Sequence, residues 1–240
     1  MKGKARLRSL PAVATALFLA TAAVRAGQGM ANNTAVTATP SPVSGEEISV
    51  LDHFPLLNGL SWKYRSNLGD VSSRVIIDGD RVTIISESSP LDIRQTLQLT
   101  PDGLFLTEAE SDTFLLSTRR TYHPFLLRFP RRVAVGKSWE WKGREVVDGD
   151  IIESRVEGVI DGWETVAVPA GEFRCLKVTV RTVSDDGTTS SSTQWLASGI
   201  GIVRADIKID AGGLSGFIIS LLGFDSYHLE LEEMNRPEKK

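Results

Sequence analysis

From Leu60 onward the chain alternates apolar and polar residues with a period of two, the repeat of a strand with one face in a core and one in water. Val203, Ala205, Ile207 and Ile209 alternate with Arg204, Asp206, Lys208 and Asp210; Tyr227, Leu229 and Leu231 alternate with His228, Glu230 and Glu232. Val75 and Ile77, Val82 and Ile84, Leu97 and Leu99, and Val178 and Val180 continue the pattern, and Trp139 and Trp141 flank Glu140. Turn triplets separate the runs at Asp78-Gly79-Asp80, Pro101-Asp102-Gly103, Asp148-Gly149-Asp150, Asp161-Gly162-Trp163 and Asp185-Asp186-Gly187. Asp-Gly between two such runs signals a hairpin, because Gly accepts positive φ. One polar face per strand favours antiparallel pairing. The spacing predicts about 11 to 13 strands, joined mostly as a meander. The expected fold is all-β: a single large, curved antiparallel sheet forming a half-barrel or barrel, whose apolar face must be covered.

Two stretches depart from this pattern. Between Ala211 and Phe224, Leu214, Phe217, Ile218, Leu221 and Leu222 fall at i, i+3, i+4, i+7 and i+8, the stripe of an amphipathic helix. One short helix is therefore expected near 214–222. It has three readings: a structural cap on the open end of the sheet, a flap over an apolar cavity, or a contact for membrane or partner. Tyr122 to Pro130 is apolar, and Pro124 and Pro130 argue against a regular strand interior there. It reads as an irregular stretch whose default role is core packing, or as a loop lining the same opening with Phe125 placed there.

The run from Val168 to Val178, V-P-A-G-E-F-R-C-L-K-V, is the most distinctive in the chain. It resembles the V-P-A-G-x-F-x-C-x-K-V signature of a family of exported bacterial β-rich proteins of unknown function. Gln194 to Val203 is similar to that family's W-x-A-x-G-x-G-x-V element. The resemblance implies an exported, envelope or secreted protein and carries over no catalytic residue. A looser similarity, of fold type alone, is to curved-sheet carriers of lipids and lipoproteins. Within the signature, apolar parity flips at Cys175-Leu176, which a β-bulge or a strand buried on both faces explains. Phe54-Pro55 followed by Gly59-Leu60-Ser61-Trp62 is echoed by Phe129-Pro130 followed by Gly136-Lys137-Ser138-Trp139. Either the fold has two similar halves or one strand-opening device is used twice.

The N-terminus reads as a secretory signal over residues 1–26. Lys2, Lys4, Arg6 and Arg8 precede an apolar stretch from Leu10 to Val24, and Val24-Arg25-Ala26 is a plausible cleavage site. The stretch is shorter than the roughly 20 residues of a comfortable span. The alternative is an uncleaved anchor. Residues 27–47 read as a disordered spacer, 48–235 as a single β domain and 236–240 as a disordered tail. The chain carries 27 basic and 30 acidic residues; cleavage after Ala26 removes five basic ones and leaves a formal charge of −8. That balance, without a basic block, argues against nucleic acid as a partner. The expected product is exported to the periplasm or beyond, without an integral span.

Chemistry is sparse. Cys175 is the only cysteine, so no internal disulfide forms, and its apolar neighbours point to a buried structural thiol. His53, His123 and His228 lie far apart, without metal-ligand spacing. No nucleophile elbow or phosphate loop occurs, and no cofactor is implied. The leading expectation is a non-catalytic binding module for an apolar ligand, a lipid or acyl chain, with Leu214, Phe217, Ile218, Leu221, Leu222 and Phe125 as candidate binding residues. It expects a pocket above roughly 300 Å³ lined by aliphatic side chains. One alternative is a structural or assembly protein that binds another envelope protein and has a filled core. The other is an enzyme whose site assembles only in the tertiary fold. If 211–224 is a flap, Phe217→Asp with Leu221→Asp abolishes ligand retention and leaves the β-type circular dichroism intact; unchanged retention contradicts the flap.

Overall fold

The computed structural model describes residues 47–89, 91–113, 117–211 and 225–237. In chain order the described elements are β1 (Ile48–Ser49), α1 (Val50–His53), β2 (Ser61–Ser66), β3 (Gly69–Asp78), β4 (Arg81–Ser88), β5 (Leu91–Leu99), β6 (Gly103–Thr113) and β7 (Ser117–Pro130). They continue with β8 (Arg132–Val133), β9 (Ser138–Val147), β10 (Asp150–Val168), β11 (Gly171–Ser184), β12 (Thr189–Ala197), β13 (Gly201–Asp210) and β14 (Ser226–Asn235). Twelve strands close into one barrel, in which each of β2–β7 and β9–β14 pairs antiparallel with its sequence neighbours and β14 returns to β2. β1 and β8 form a separate two-stranded sheet. The closed barrel is the stronger of the two expected forms. The helix expected near 214–222 lies outside the described residues, as do the signal and most of the spacer.

Local chemistry makes the meander. At the β9–β10 turn Asp148 and Gly149 both take positive φ, 51° and 99°. That is the primed turn whose twist matches the flanking strands. Both G-x-S-W devices place their glycine in the left-handed region, Gly59 at 82° and Gly136 at 76°, just before β2 and β9. Each device opens a run of six consecutive barrel strands. The halves also touch: the rings of Phe54 and Phe129 lie 5.6 Å apart, and those of Phe129 and Trp139 6.2 Å apart.

Two expectations need correction, and one of the two explanations of the parity flip holds. Asp161-Gly162-Trp163 is not a turn but a bulge inside β10, where the ladder passes from Ile160↔Val178 to Gly162↔Lys177 and skips Asp161. The Thr179 hydroxyl donates to the Asp161 carboxylate (2.5 Å) and fills the skipped place. Tyr122–Pro130 is not a loop but the second half of β7. Between Leu106↔Leu126 and Glu108↔Thr121 the β6 ladder releases Tyr122–Phe125, which accommodates Pro124 without a lost bond. The parity flip at Cys175-Leu176 has no bulge in β11, which pairs with β12 in continuous register there. Both residues are buried, so the strand is covered on both faces at that point.

The barrel is apolar inside and charged outside. Lys63–Glu233 (3.0 Å), Arg65–Glu232 (2.7 Å), Arg74–Glu87 (2.7 Å) and Arg155–Glu140 (2.8 Å) pair across neighbouring strands on the outer face. Each contributes little to stability. Together they reverse the polarity of a lipid-spanning barrel, which carries an apolar band outside. Among the described residues no helix is long and apolar enough to cross a membrane.

Trp139, Trp141 and Tyr122 fill one side of the interior with Val156, Ile160, Val178 and Val180. A fully buried ion pair, Arg120 with Glu145, lies among them. Gly158 of β10 faces Trp139 so closely that a Cβ there would sit 2.2–2.5 Å from the indole ring. Gly158→Ala therefore lowers stability by about 1–3 kcal/mol through overpacking, read as a lower urea midpoint; an unchanged midpoint contradicts this packing.

Candidate functional site

In an antiparallel meander the hairpins alternate between two ends. The described turns β2–β3, β9–β10 and β11–β12 share one end of the barrel, and α1 lies at the other. There the Gly199 N–H donates to Asp52 O (2.6 Å), and Phe54 enters the lumen against Phe129. Phe54 thus stops one end of a cavity that runs along β2 toward Leu68.

The walls come from β2–β5, β7 and β12–β14: Trp62, Tyr64, Val71, Ile84, Leu91, Ile93, Ala205, Ile207, Tyr227 and Leu229 give it a mainly apolar lining. Leu91, Ile207 and Ile209 form an apolar cluster at the Leu68 end. The cavity volume is about 120 Å³. That is below the roughly 300 Å³ set above as the expectation for the apolar-ligand reading.

Polar groups concentrate near the Phe54 end. Trp62 Nε1 donates to Ile200 O (2.7 Å) and the Tyr64 hydroxyl to Ile202 O (3.1 Å), so both rings are fixed as walls. Burial pushes the Tyr64 hydroxyl far above its ordinary pKa, and it stays neutral. Gln194 reaches the cavity from β12, and its buried Oε1 has no partner among the described residues.

Among the described residues Arg128 is the one charged residue on this wall. The β6–β7 ladder passes from Leu104↔Phe129 to Phe105↔Leu127, so Arg128 is the extra residue of a bulge. Bulges re-aim side chains, and here the guanidinium turns inward. Its Nη1 donates to Gln95 Oε1 (2.5 Å), and its Cζ lies 5.1 Å from the Phe54 ring centre and 5.7 Å from that of Phe129. Burial lowers its pKa to about 10, partly offset by the Tyr122 and Tyr64 hydroxyls. It remains charged at neutral pH.

The residues singled out from sequence fall elsewhere. Leu214, Phe217, Ile218, Leu221 and Leu222 lie outside the described residues. Phe125 is 46% exposed and borders an outer hollow with Arg81, Glu108 and His123, away from the lumen. It sits in the part of β7 that β6 releases. The sequence reading missed Arg128, whose signal was a lone cation inside Phe125-Leu126-Leu127-Arg128-Phe129.

Among the histidines, His53 contacts Ser49 O (Nδ1, 3.2 Å), His123 approaches Thr121 Oγ1 (3.3 Å), and His228 contacts Asp206 and Glu230 on the outer face. Cys175 is buried, its Sγ donating to Phe173 O (3.4 Å). Burial, with the Glu164 carboxylate, pushes the thiol up to about 11. Its reaction with an aromatic disulfide reagent at pH 8 is therefore at least about a hundredfold slower in the folded protein than in urea; equal rates contradict the burial.

A family model described as DUF3108-like matches residues 145–212, a stretch that contains Val168–Val178 and Gln194–Val203. No curated protein matches the chain. Among solved structures, the chain is similar to the hypothetical lipoprotein YmcC from Escherichia coli, at 13% identity and a TM-score of 0.41, over 76% of this chain and 87% of that one. It is also similar to a candidate lipoprotein from Parabacteroides distasonis, at 12% identity and a TM-score of 0.37, over 76% and 98% of the two chains. A candidate exported protein with a YmcC-like fold from Bacteroides fragilis matches at 13% identity and a TM-score of 0.33, over the same shares.

Proposed function

We propose that this protein is an exported, water-soluble, non-catalytic binding protein that holds one single-chain apolar ligand inside its barrel. The observation that carries the reading is the apolar cavity between Phe54 and Leu68, left in a barrel whose other side is packed with aromatic rings. The signal-like N-terminus supports export, and the charged outer face supports a water-soluble body.

Size narrows the ligand. A cavity of about 120 Å³ suits one chain rather than a two-chain lipid. Burial gains about 0.8 kcal/mol per methylene. After the cost of association, that places the affinity in roughly the micromolar to millimolar range.

Calorimetric titration with 1-decanol, a neutral single chain, tests the reading. The wild type binds one molecule with a negative heat-capacity change. Ala205→Phe, which fills the lumen from β13, weakens binding by about tenfold or more and keeps the β-type circular dichroism. Absence of saturable binding, or equal binding by the filled variant, contradicts the proposal.

A further inference from the structure

The wall of an apolar cavity is an expensive place for a guanidinium. A buried charge is tolerated when paired, and the fully buried Arg120 follows that rule with Glu145. Arg128, half-buried in the cavity wall, does not. Among the described residues no carboxylate pairs with it; its contacts are the neutral Gln95 oxygen and the faces of Phe54 and Phe129. A guanidinium has five N–H donors in a planar fork, and one of them is engaged here. The two rings, whose centres are 5.6 Å apart, lie together against one side of it. The bulge at Leu104/Phe105, which makes Arg128 the unpaired residue of β7, aims it into the lumen.

From this geometry we infer that Arg128 is the receptor for an anionic headgroup, and that the ligand is a single-chain fatty acid. Its carboxylate meets the free edge of the Arg128 fork beside Gln95. Its tail runs along Tyr64 and Ile84 toward Leu68 and Tyr227. The inference rests on the cavity being the ligand site and adds the polar end of the ligand. One cation without a second basic group nearby balances a carboxylate, whereas a phosphate monoester would bring up to two charges. Decanoic acid is a single-chain probe of this arrangement.

Delipidated protein is titrated with decanoate, 1-decanol and decyl phosphate at pH 7.5. A hydrogen bond to a charged group is worth a factor of about ten to a hundred in affinity. The wild type is expected to prefer decanoate over decanol by at least about tenfold. In Arg128→Met the preference falls to about one. Arg128→Lys, which keeps the charge and loses the fork, retains an intermediate preference. The wild-type comparison stands alone if the methionine variant does not fold. Equal wild-type affinity for decanoate and decanol overturns the headgroup assignment and leaves the cavity reading intact. Tighter binding of decyl phosphate than of decanoate overturns the choice of carboxylate. Binding of none of the three overturns the cavity reading and the assignment together.

Discussion

Twelve strands closed on themselves enclose more room than aliphatic side chains fill. Eight-stranded barrels are already wide enough for a packed core or one small ligand. Here closure depends on the return of β14 to β2 and on the shortest seam of the second half, β7 to β9, where only Arg120–His123 pair with Val147–Arg144. The wider interior is resolved unevenly. Next to the β7–β9 seam it is packed with Tyr122, Trp139, Trp141 and the Arg120–Glu145 pair. Across from it, Ser73, Ser86, Ala205 and the aliphatic residues of β3–β5 and β13 are too small to meet in the middle.

Bulges turn that leftover space into a polarised site. A one-residue slip in a ladder moves a side chain from one face to the other. Skipping Arg128 in β7 places a cation inside, close to the Phe54 plug; skipping Val203 in β13 puts Ile202 and Ala205 on the same inner wall. The cavity therefore has a charged pole at its stopped end and an apolar pole toward Leu68. The outer face carries cross-strand ion pairs, so the same strands that line an apolar lumen remain compatible with water.

The strands were legible because a half-buried sheet writes period two into the sequence, and the Asp148–Gly149 hairpin was legible because its backbone demands that dipeptide. Asp161-Gly162 was not, since Asp-Gly looks the same locally whether the chain reverses or the ladder merely skips a residue. Tyr122–Pro130 misled for a related reason: Pro124 excludes a regular ladder, but β6 lets go of that stretch instead of ending the strand. Once the register is broken there, alternation no longer tells which residue faces inward. Phe125 was chosen for its apolarity and faces out, while Arg128, three residues on, faces in. Cavity width was beyond sequence reading, because it depends on how twelve strands close and which side chains meet across the lumen.

The central claim, that the barrel encloses a single-chain amphiphile and not a filled core, is tested most directly by gentle native mass spectrometry. The protein, secreted or released from its own compartment, is weighed intact, and an organic extract of the same sample is run alongside. The account predicts a species heavier than the polypeptide by one fatty acid, with the same acid in the extract. A bare polypeptide mass with no fatty material in the extract would contradict it.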